Sequence, residues 1–283
     1  MRLSASIDQI LKGVCFVGVQ VSGRFTPLGT AFFVARRDGG ENFGYLVTAR
    51  HVIDQLDDSI KTVSIRLNLS EGGMTFLQIP RASWRFHPNK KPNSYVDVAV
   101  VPLQRPQGVK LLVMQIEDAE LTFEGMQKDN IGIGTETFTI GLFTNHAGEN
   151  RNFPVARFGH LALLSQEELS TEFGYMEGHL VEAHSLGGSS GSPVFVSPEL
   201  WRIENGHPKL AGTREWYFLG LISGTWTQEN PEDAIADSVE KTGTGRINTG
   251  MMIVVPVGKV KEALDQSELK PVRSPIKTLV PRT

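Results

Sequence analysis

A chain of 283 residues with 28 Lys+Arg against 31 Asp+Glu carries a net charge of -3, which leaves no broad basic surface for nucleic acid. No segment approaches the roughly 18 apolar residues that cross a bilayer, and the opening MRLSASIDQILKGVCFVGVQ is interrupted by Asp8, Gln9 and Lys12 where a secretion signal needs an apolar core. Cys15 is the one cysteine, which excludes an internal disulfide and thiolate zinc patterns and fits a reducing, cytoplasmic compartment.

At this length two packed modules are expected, because single cores stop growing near about 250–300 residues. Residues 1–13 read as a helical lead, with Ser6 capping a short helix over 6–12 (SIDQILK). Runs of β type follow, each closed by Gly, Asn, Asp or Pro: VCFVGVQV (14–21), GTAFFVAR (29–36), FGYLVTA (43–49), VSIRLNL (63–69), MTFLQI (74–79) and DVAVVPL (97–103). They define a first module over 14–105, closed by the linker QRPQGVK (104–110) with its Pro106 and Gly108. Six more runs define a second module over 106–256: ETFTIGLF (136–143), RFGHLALL (157–164), YMEGHLVEA (175–183), SPVFV (192–196), YFLGLISGT (217–225) and MMIVVPV (251–257). The pattern predicts an all-β chain of two antiparallel six-stranded barrels, with one large sandwich as the alternative. Between the last two runs, residues 227–250 form a long polar stretch that reads as a loop. In the final segment, 257–283, VGKVKEALDQ (257–266) sets Val257, Val260, Ala263 and Leu264 at helical spacing, and KPVRSPIKTLVPRT (270–283) reads as an irregular tail.

Three segments carry residues suited to chemistry. LVTARHVID delivers His51 just past a strand, YVDVAVVPL sets one acid, Asp97, against an apolar run, and GGSSGSPVF presents Ser190. Acyl transfer needs these three groups: an alcohol as nucleophile, an imidazole to take its proton, and a carboxylate to orient that imidazole. Each segment also has a plainer reading. His51 could be an ordinary surface histidine, Asp97 a turn cap, and the run of small residues simple turn chemistry. An acid abutting VAVV nevertheless faces burial and needs hydrogen-bonding partners there. Asp54 and Asp57 are rivals, but they follow His51 in a polar stretch and are poorly placed to be buried beneath it. Metal binding competes weakly: the seven histidines are scattered, and His179 and His184 lie five apart in a strand-like run. Gly-rich IGIGTE (131–136) has neither a following helix nor a phosphate-reaching lysine.

Taken together, TARHV, DVAVV and GGSSGSPVF resemble the His, Asp and Ser motifs of chymotrypsin-like serine proteases, and SGSPVF is similar to bacterial glutamyl-endopeptidase-like members. GTAFFV resembles the family strand before the histidine, and GLISGTW the strand after the serine that borders the substrate cleft, so the likeness runs over roughly 14–264. It implies a chymotrypsin-like pair of barrels, with Ser190 as nucleophile, His51 as general base and Asp97 as the group that fixes the imidazole. It further implies oxyanion donors at the N–H groups of Gly188 and Ser190, a hydroxyl from Ser223 on Asp97, and a strand edge left open at Gly224 for substrate. His184 would lie at the base of the specificity pocket, where an aspartate would select Lys or Arg. Ser189 stands where zymogen-type members carry an aspartate, so activation through a freed amino terminus is not expected. GLISGTW lacks the histidine that glutamyl-specific relatives carry on that strand. The disulfides of animal members cannot form, and the bacterial or otherwise intracellular branch fits better.

The expected activity is that of a serine endopeptidase on protein or peptide substrates, with no cofactor, metal, nucleic acid or membrane involved. The alternative is a latent protease or protease-fold binding module that acts within a larger assembly and answers to a regulatory protein partner. A non-peptidase hydrolase fits less well, because Pro193 and VFV continue as strand after Ser190, where a nucleophile elbow would turn into a helix.

Overall fold

The computed structural model describes residues 7–276, apart from 90, 110, 144–145, 172, 184–187, 200, 205–206, 211–213 and 230–245. The first sheet is built from β1 (Val14–Val21), β2 (Arg24–Asp38), β3 (Glu41–Thr48), β4 (Thr62–Asn68), β5 (Met74–Pro80), β6 (Arg85–Phe86), β7 (Ala99–Pro102) and β8 (Met114–Gln115). Its order is β5-β4-β1-β2-β3-β7-β6, with β8 paired to β2 in parallel. The second comprises β9 (Glu136–Gly141), β10 (Val155–Thr171), β11 (Gly174–Glu182), β12 (Pro193–Val196), β15 (Tyr217–Glu229) and β16 (Arg246–Pro256), closed as a barrel in the order β10-β11-β16-β15-β12-β9. A separate hairpin, β13 (Trp201–Glu204) with β14 (His207–Leu210), lies between β12 and β15.

This is the chymotrypsin-like all-β architecture with a C-terminal helix. The second sheet holds the six strands that its apolar runs predict, while the first has eight because the two-residue pieces β6 and β8 are too short to leave a periodic pattern. Strands central to the first sheet are apolar without alternation, since both faces are covered: Phe43 to Thr48 of β3 are all buried between β2 and β7. Sharp reversals keep these strands in register. Between Asp38 and Glu41, Gly39 and Gly40 take φ of 58° and 84°, the paired positive values that a two-residue hairpin requires.

Two apolar clusters fill the molecule. One lies inside the closed barrel around Leu161, Val181, Val194, Ile222 and Val254. The larger runs from the first sheet across the seam into the second, and joins Phe32 to Phe218 edge-on at 5.4 Å between ring centroids. The seam is therefore packed core, and residues that face each other across it are held in fixed relation.

The C-terminal helix spans Val257–Leu264 and buries Val257, Val260, Ala263 and Leu264, the stripe its spacing predicts. The chain beyond it departs from the loose tail expected of 270–283. Up to residue 276 it docks along β3: Ile276 N–H donates to Asn42 O at 2.7 Å, Pro275 bridges Phe43, and the Arg273 guanidinium sits 3.9 Å from the Phe43 ring centroid. A cation over an aromatic face and an ion pair to Asp38 give this proline-rich segment a fixed path without regular structure. The polar stretch 227–250 also differs from expectation, because β15 continues to Glu229 and β16 begins at Arg246, paired from Thr227↔Asn248 to Glu229↔Arg246. Only 230–245 remains, outside the described residues.

Arg66 ties the sheets together from beneath. It is 5% exposed, yet no carboxylate pairs with it among the described residues. Its Nε donates to Asn152 Oδ1 at 2.6 Å and Nη1 to Gly148 O at 3.0 Å, while the guanidinium lies over Phe16 and Phe25. Asn152 in turn donates to Arg66 O and Asn68 Oδ1. Arg66→Met, which keeps the stem and strands these buried acceptors, is expected to destabilise the fold by about 1–3 kcal/mol. Urea unfolding of the two proteins reads the difference, and an unchanged midpoint would show that the network contributes nothing.

Candidate active site

β3 ends at Thr48, and the chain turns at Ala49 into the five-residue helix Arg50–Asp54, which carries His51. Asp97 lies just before β7 and is 0% exposed. Its Oδ2 is 2.7 Å from His51 Nδ1, and its Oδ1 accepts from the His51 backbone N–H at 2.9 Å. The carboxylate thus grips the histidine by ring and main chain at once, which sets both the position of the residue and the orientation of the imidazole. Ser223 Oγ donates to the same Oδ2 at 2.5 Å, and Tyr95 OH reaches Oδ1 at 3.4 Å. Four donors converge on a carboxylate with no exposure, the condition under which a buried charge is tolerable. The rival acids have other partners: Asp54 pairs with Arg50 at 3.0 Å, and Asp57 Oδ1 accepts from Ser59 N–H at 2.8 Å.

Ser190 arrives from the second barrel in the turn before β12. What brings it here is Gly191, at φ 80°, where an added Cβ would lie 2.2 Å from Thr30 O, 2.4 Å from Thr48 Oγ1 and 3.0 Å from Ala49 N. Only a residue without a side chain lets the turn press this closely on the end of β3, immediately ahead of His51. Thr30 N–H donates to Ser190 O at 2.9 Å, and Gly191 N–H donates to Ile222 O at 2.7 Å, so the turn is held by both sheets. Gly188 has a φ of 93°. Ser189, in the place of the zymogen-type aspartate, is buried at 5% exposure, and its carbonyl accepts from Ser192 N–H at 2.9 Å.

Ser223 connects the two halves of the arrangement. It sits at a register shift of β15 between Ile222 and Gly224, and such bulges re-aim a side chain out of the regular alternation. Its hydroxyl reaches Asp97 while its carbonyl accepts from Ser190 Oγ at 3.3 Å. No hydrogen bond joins Ser190 to His51 among the described residues. A Cβ added to Gly224 would meet nothing within 4 Å, so the space beside that residue is open. Beyond Gly224, β15 pairs with β16 alone among the described residues. His184 lies outside the described residues. No three His, Cys, Asp or Glu side chains gather as a metal set, and no helix is long and apolar enough to cross a membrane, again among the described residues.

Two aromatic residues complete the site without announcing themselves in the sequence. Phe173, at the tip of the β10–β11 hairpin, stacks on the His51 ring at 5.4 Å and 16°. The same ring stacks on Tyr95 at 5.2 Å. The hairpin is pinned to the first module by Tyr95 N–H to Tyr175 O at 2.8 Å and by Ser94 Oγ to Glu168 Oε1 at 2.9 Å. Burial, and after it the Asp97 charge, push the Tyr95 hydroxyl well above the ordinary phenol range, which keeps it a donor to the carboxylate. The clue available beforehand is the position of Tyr95, two residues before Asp97 in YVDVAVV; nothing in TEFGY singles out Phe173.

The trypsin family model matches residues 18–225. Among solved structures, the fold is similar to the apo form of the MamO protease domain from Magnetospirillum magneticum, with a TM-score of 0.51 at 13% identity over 92% of this chain and 100% of that one. It is also similar to Deg5, with a TM-score of 0.50 at 14% identity over 92% of this chain and 91% of that one. No curated protein matches the chain.

Proposed function

Because the chain belongs to the trypsin family, we propose that it is a serine endopeptidase that cleaves protein chains through an acyl-enzyme formed at Ser190. The observation that carries this reading is the Asp97 carboxylate, fully buried and bonded at once to His51 and to the Ser223 that touches Ser190.

In the proposed reaction a substrate lies as an added strand on the edge of β15 near Gly224. Ser190 Oγ turns from the Ser223 carbonyl toward the imidazole and attacks the scissile carbonyl carbon, while His51 Nε2 takes the hydroxyl proton. Asp97 holds the proton on His51 Nδ1, keeps Nε2 free as a base, and stabilises the imidazolium once formed. Negative charge collects on the former carbonyl oxygen and is met by the N–H groups of Gly188 and Ser190. The imidazolium then protonates the leaving amine as the C–N bond breaks, and water repeats the sequence on the ester. No metal or cofactor takes part.

The family resemblance assigns side-chain preference to His184, a residue that carries no fixed negative charge. Polar or acidic residues, to which an imidazole can donate a hydrogen bond, are the expected targets at P1. Digestion of an unfolded protein and a mixed peptide library tests both claims. Cleavage is expected to depend on Ser190, with cuts after Lys or Arg in the minority. Cleavage that survives in Ser190→Ala would refute the mechanism, and rapid cutting after Arg would refute the pocket assignment.

One observation favours a latent form of the same enzyme: the Ser190 hydroxyl is engaged by the Ser223 carbonyl at 3.3 Å rather than by His51. On that reading a protein partner shifts Ser190 into place, and the isolated chain cleaves slowly until the partner is added. Full activity of the isolated chain would dismiss this second reading.

A further inference from the structure

Thr30, in β2 of the first sheet, is 0% exposed and uses every hydrogen-bonding group it has across the seam or close to it. Its N–H donates to Ser190 O at 2.9 Å. Its carbonyl accepts from Thr48 Oγ1 at 2.7 Å. Its hydroxyl accepts from Leu142 N–H at 2.8 Å and donates to Gly188 O at 3.3 Å. The direction of that last bond is forced. A hydroxyl has one proton, and the amide of Leu142 can only donate, so the Thr30 proton is left for the Gly188 carbonyl.

Three successive carbonyls of the Gly188–Ser190 turn are therefore fixed: Gly188 O by the Thr30 hydroxyl, Ser189 O by Ser192 N–H, and Ser190 O by the Thr30 amide. In a trans peptide the carbonyl and the following N–H point in opposite directions. Holding Ser189 O against Ser192 thus aims the Ser190 N–H away from the turn. Fixing Gly188 O and Ser190 O on either side prevents the chain from rotating that N–H back. Glycine at 188 gives this segment freedom to rotate, and its φ of 93° is one that few other residues adopt, so an external restraint is what keeps a single arrangement.

We propose that Thr30 is a positioning residue that latches the turn carrying the oxyanion donors, acting through its side-chain hydroxyl from the opposite module. The proposal rests on the reading of Ser190 as the nucleophile. It adds to that reading a residue that touches neither substrate nor imidazole and still controls the transition state. The Thr30 amide bond to Ser190 O survives any side-chain change, so removal of the hydroxyl loosens the turn without releasing it.

The test compares wild type with Thr30→Val, which keeps the branched shape and removes both hydroxyl bonds, and Thr30→Ser, which keeps the hydroxyl. Thr30→Val is expected to lower kcat about 10-fold with KM nearly unchanged, the size of one lost hydrogen bond and below the about 10²–10³ of losing an oxyanion donor outright. Inhibition by a peptide boronate, whose tetrahedral adduct needs those donors, should weaken in the same proportion, and Thr30→Ser should recover most of both. Amide hydrogen exchange in a peptide spanning 188–192 should be faster in Thr30→Val and near normal in Thr30→Ser, a readout independent of turnover. Unchanged exchange, or a kcat loss that Thr30→Ser does not repair, would overturn the latch. Faster exchange in a protein whose wild type shows no Ser190-dependent turnover would refute the catalytic reading, and the role of Thr30 in catalysis with it.

Discussion

Replacing Asp97 by Asn is expected to lower kcat for peptide cleavage by about 10⁴-fold. The size follows from what the carboxylate does to the imidazole. Asp97 Oδ2 accepts from His51 Nδ1 at 2.7 Å, which places the ring proton on Nδ1 and leaves Nε2 as the base. An asparagine amide in that position can turn its NH₂ group to the ring, favouring the tautomer whose Nε2 carries the proton and cannot accept the one from Ser190. The loss is thus electronic rather than architectural. Asn keeps the volume of Asp, and its side-chain oxygen can still accept from the His51 backbone N–H, so the folded state should persist. A kinetic comparison with thermal unfolding of both proteins separates the cases. A loss much smaller than about 10² would show that Asp97 does not orient the base, and a collapse of stability would show that its role is structural.

Ser190→Ala is expected to have the larger effect, about 10⁶ in kcat, since it removes the atom that forms the covalent intermediate. Among the described residues the hydroxyl makes one hydrogen bond, to Ser223 O at 3.3 Å, and the turn itself is held by the backbone bonds of Thr30 and Gly191. Stability should therefore change by no more than about 1 kcal/mol. Loss of activity without loss of fold is the combination that separates a nucleophile from a structural serine. Activity within about 10-fold of wild type would mean that another group attacks the substrate.

Much of the fold is legible in the sequence because the apolar runs coincide with strands buried on one or both faces. VCFVGVQV, FGYLVTA and YFLGLISGT appear as β1, β3 and the start of β15 within a few residues of where their composition places them. The exceptions have physical causes. SQEELST, residues 165–171, has one apolar residue, Leu169, and so leaves no strand pattern, yet β10 runs through to Thr171, because there it pairs with β11 alone, past the residues that pair with β9. The docked segment up to residue 276 is invisible for a different reason: its stability comes from Arg273 meeting Phe43 and Asp38, partners more than 200 positions away.

The candidate site divides in the same way. The segments that hold His51, Asp97 and Ser190 carry local signals: a histidine after an apolar strand, an acid against valines, and glycines around a serine. Residues whose role depends on the seam carry none. Thr30 is one threonine in an apolar strand until its hydroxyl is seen between Leu142 and Gly188. Phe173 is an aromatic in a hairpin turn until its ring is found over His51. Sequence patterns report what a segment buries; they say little about which distant segment it buries it against.

The account depends on Ser190 being an activated nucleophile, and covalent labelling reads that property without any assumption about substrate. Treatment with a fluorophosphonate probe, followed by proteolytic mapping, should place one phosphonyl group on the peptide containing Ser190, with labelling abolished in Ser190→Ala and strongly slowed in Asp97→Asn. A probe adduct on a different residue, or none on Ser190 even after addition of protein partners, would contradict it.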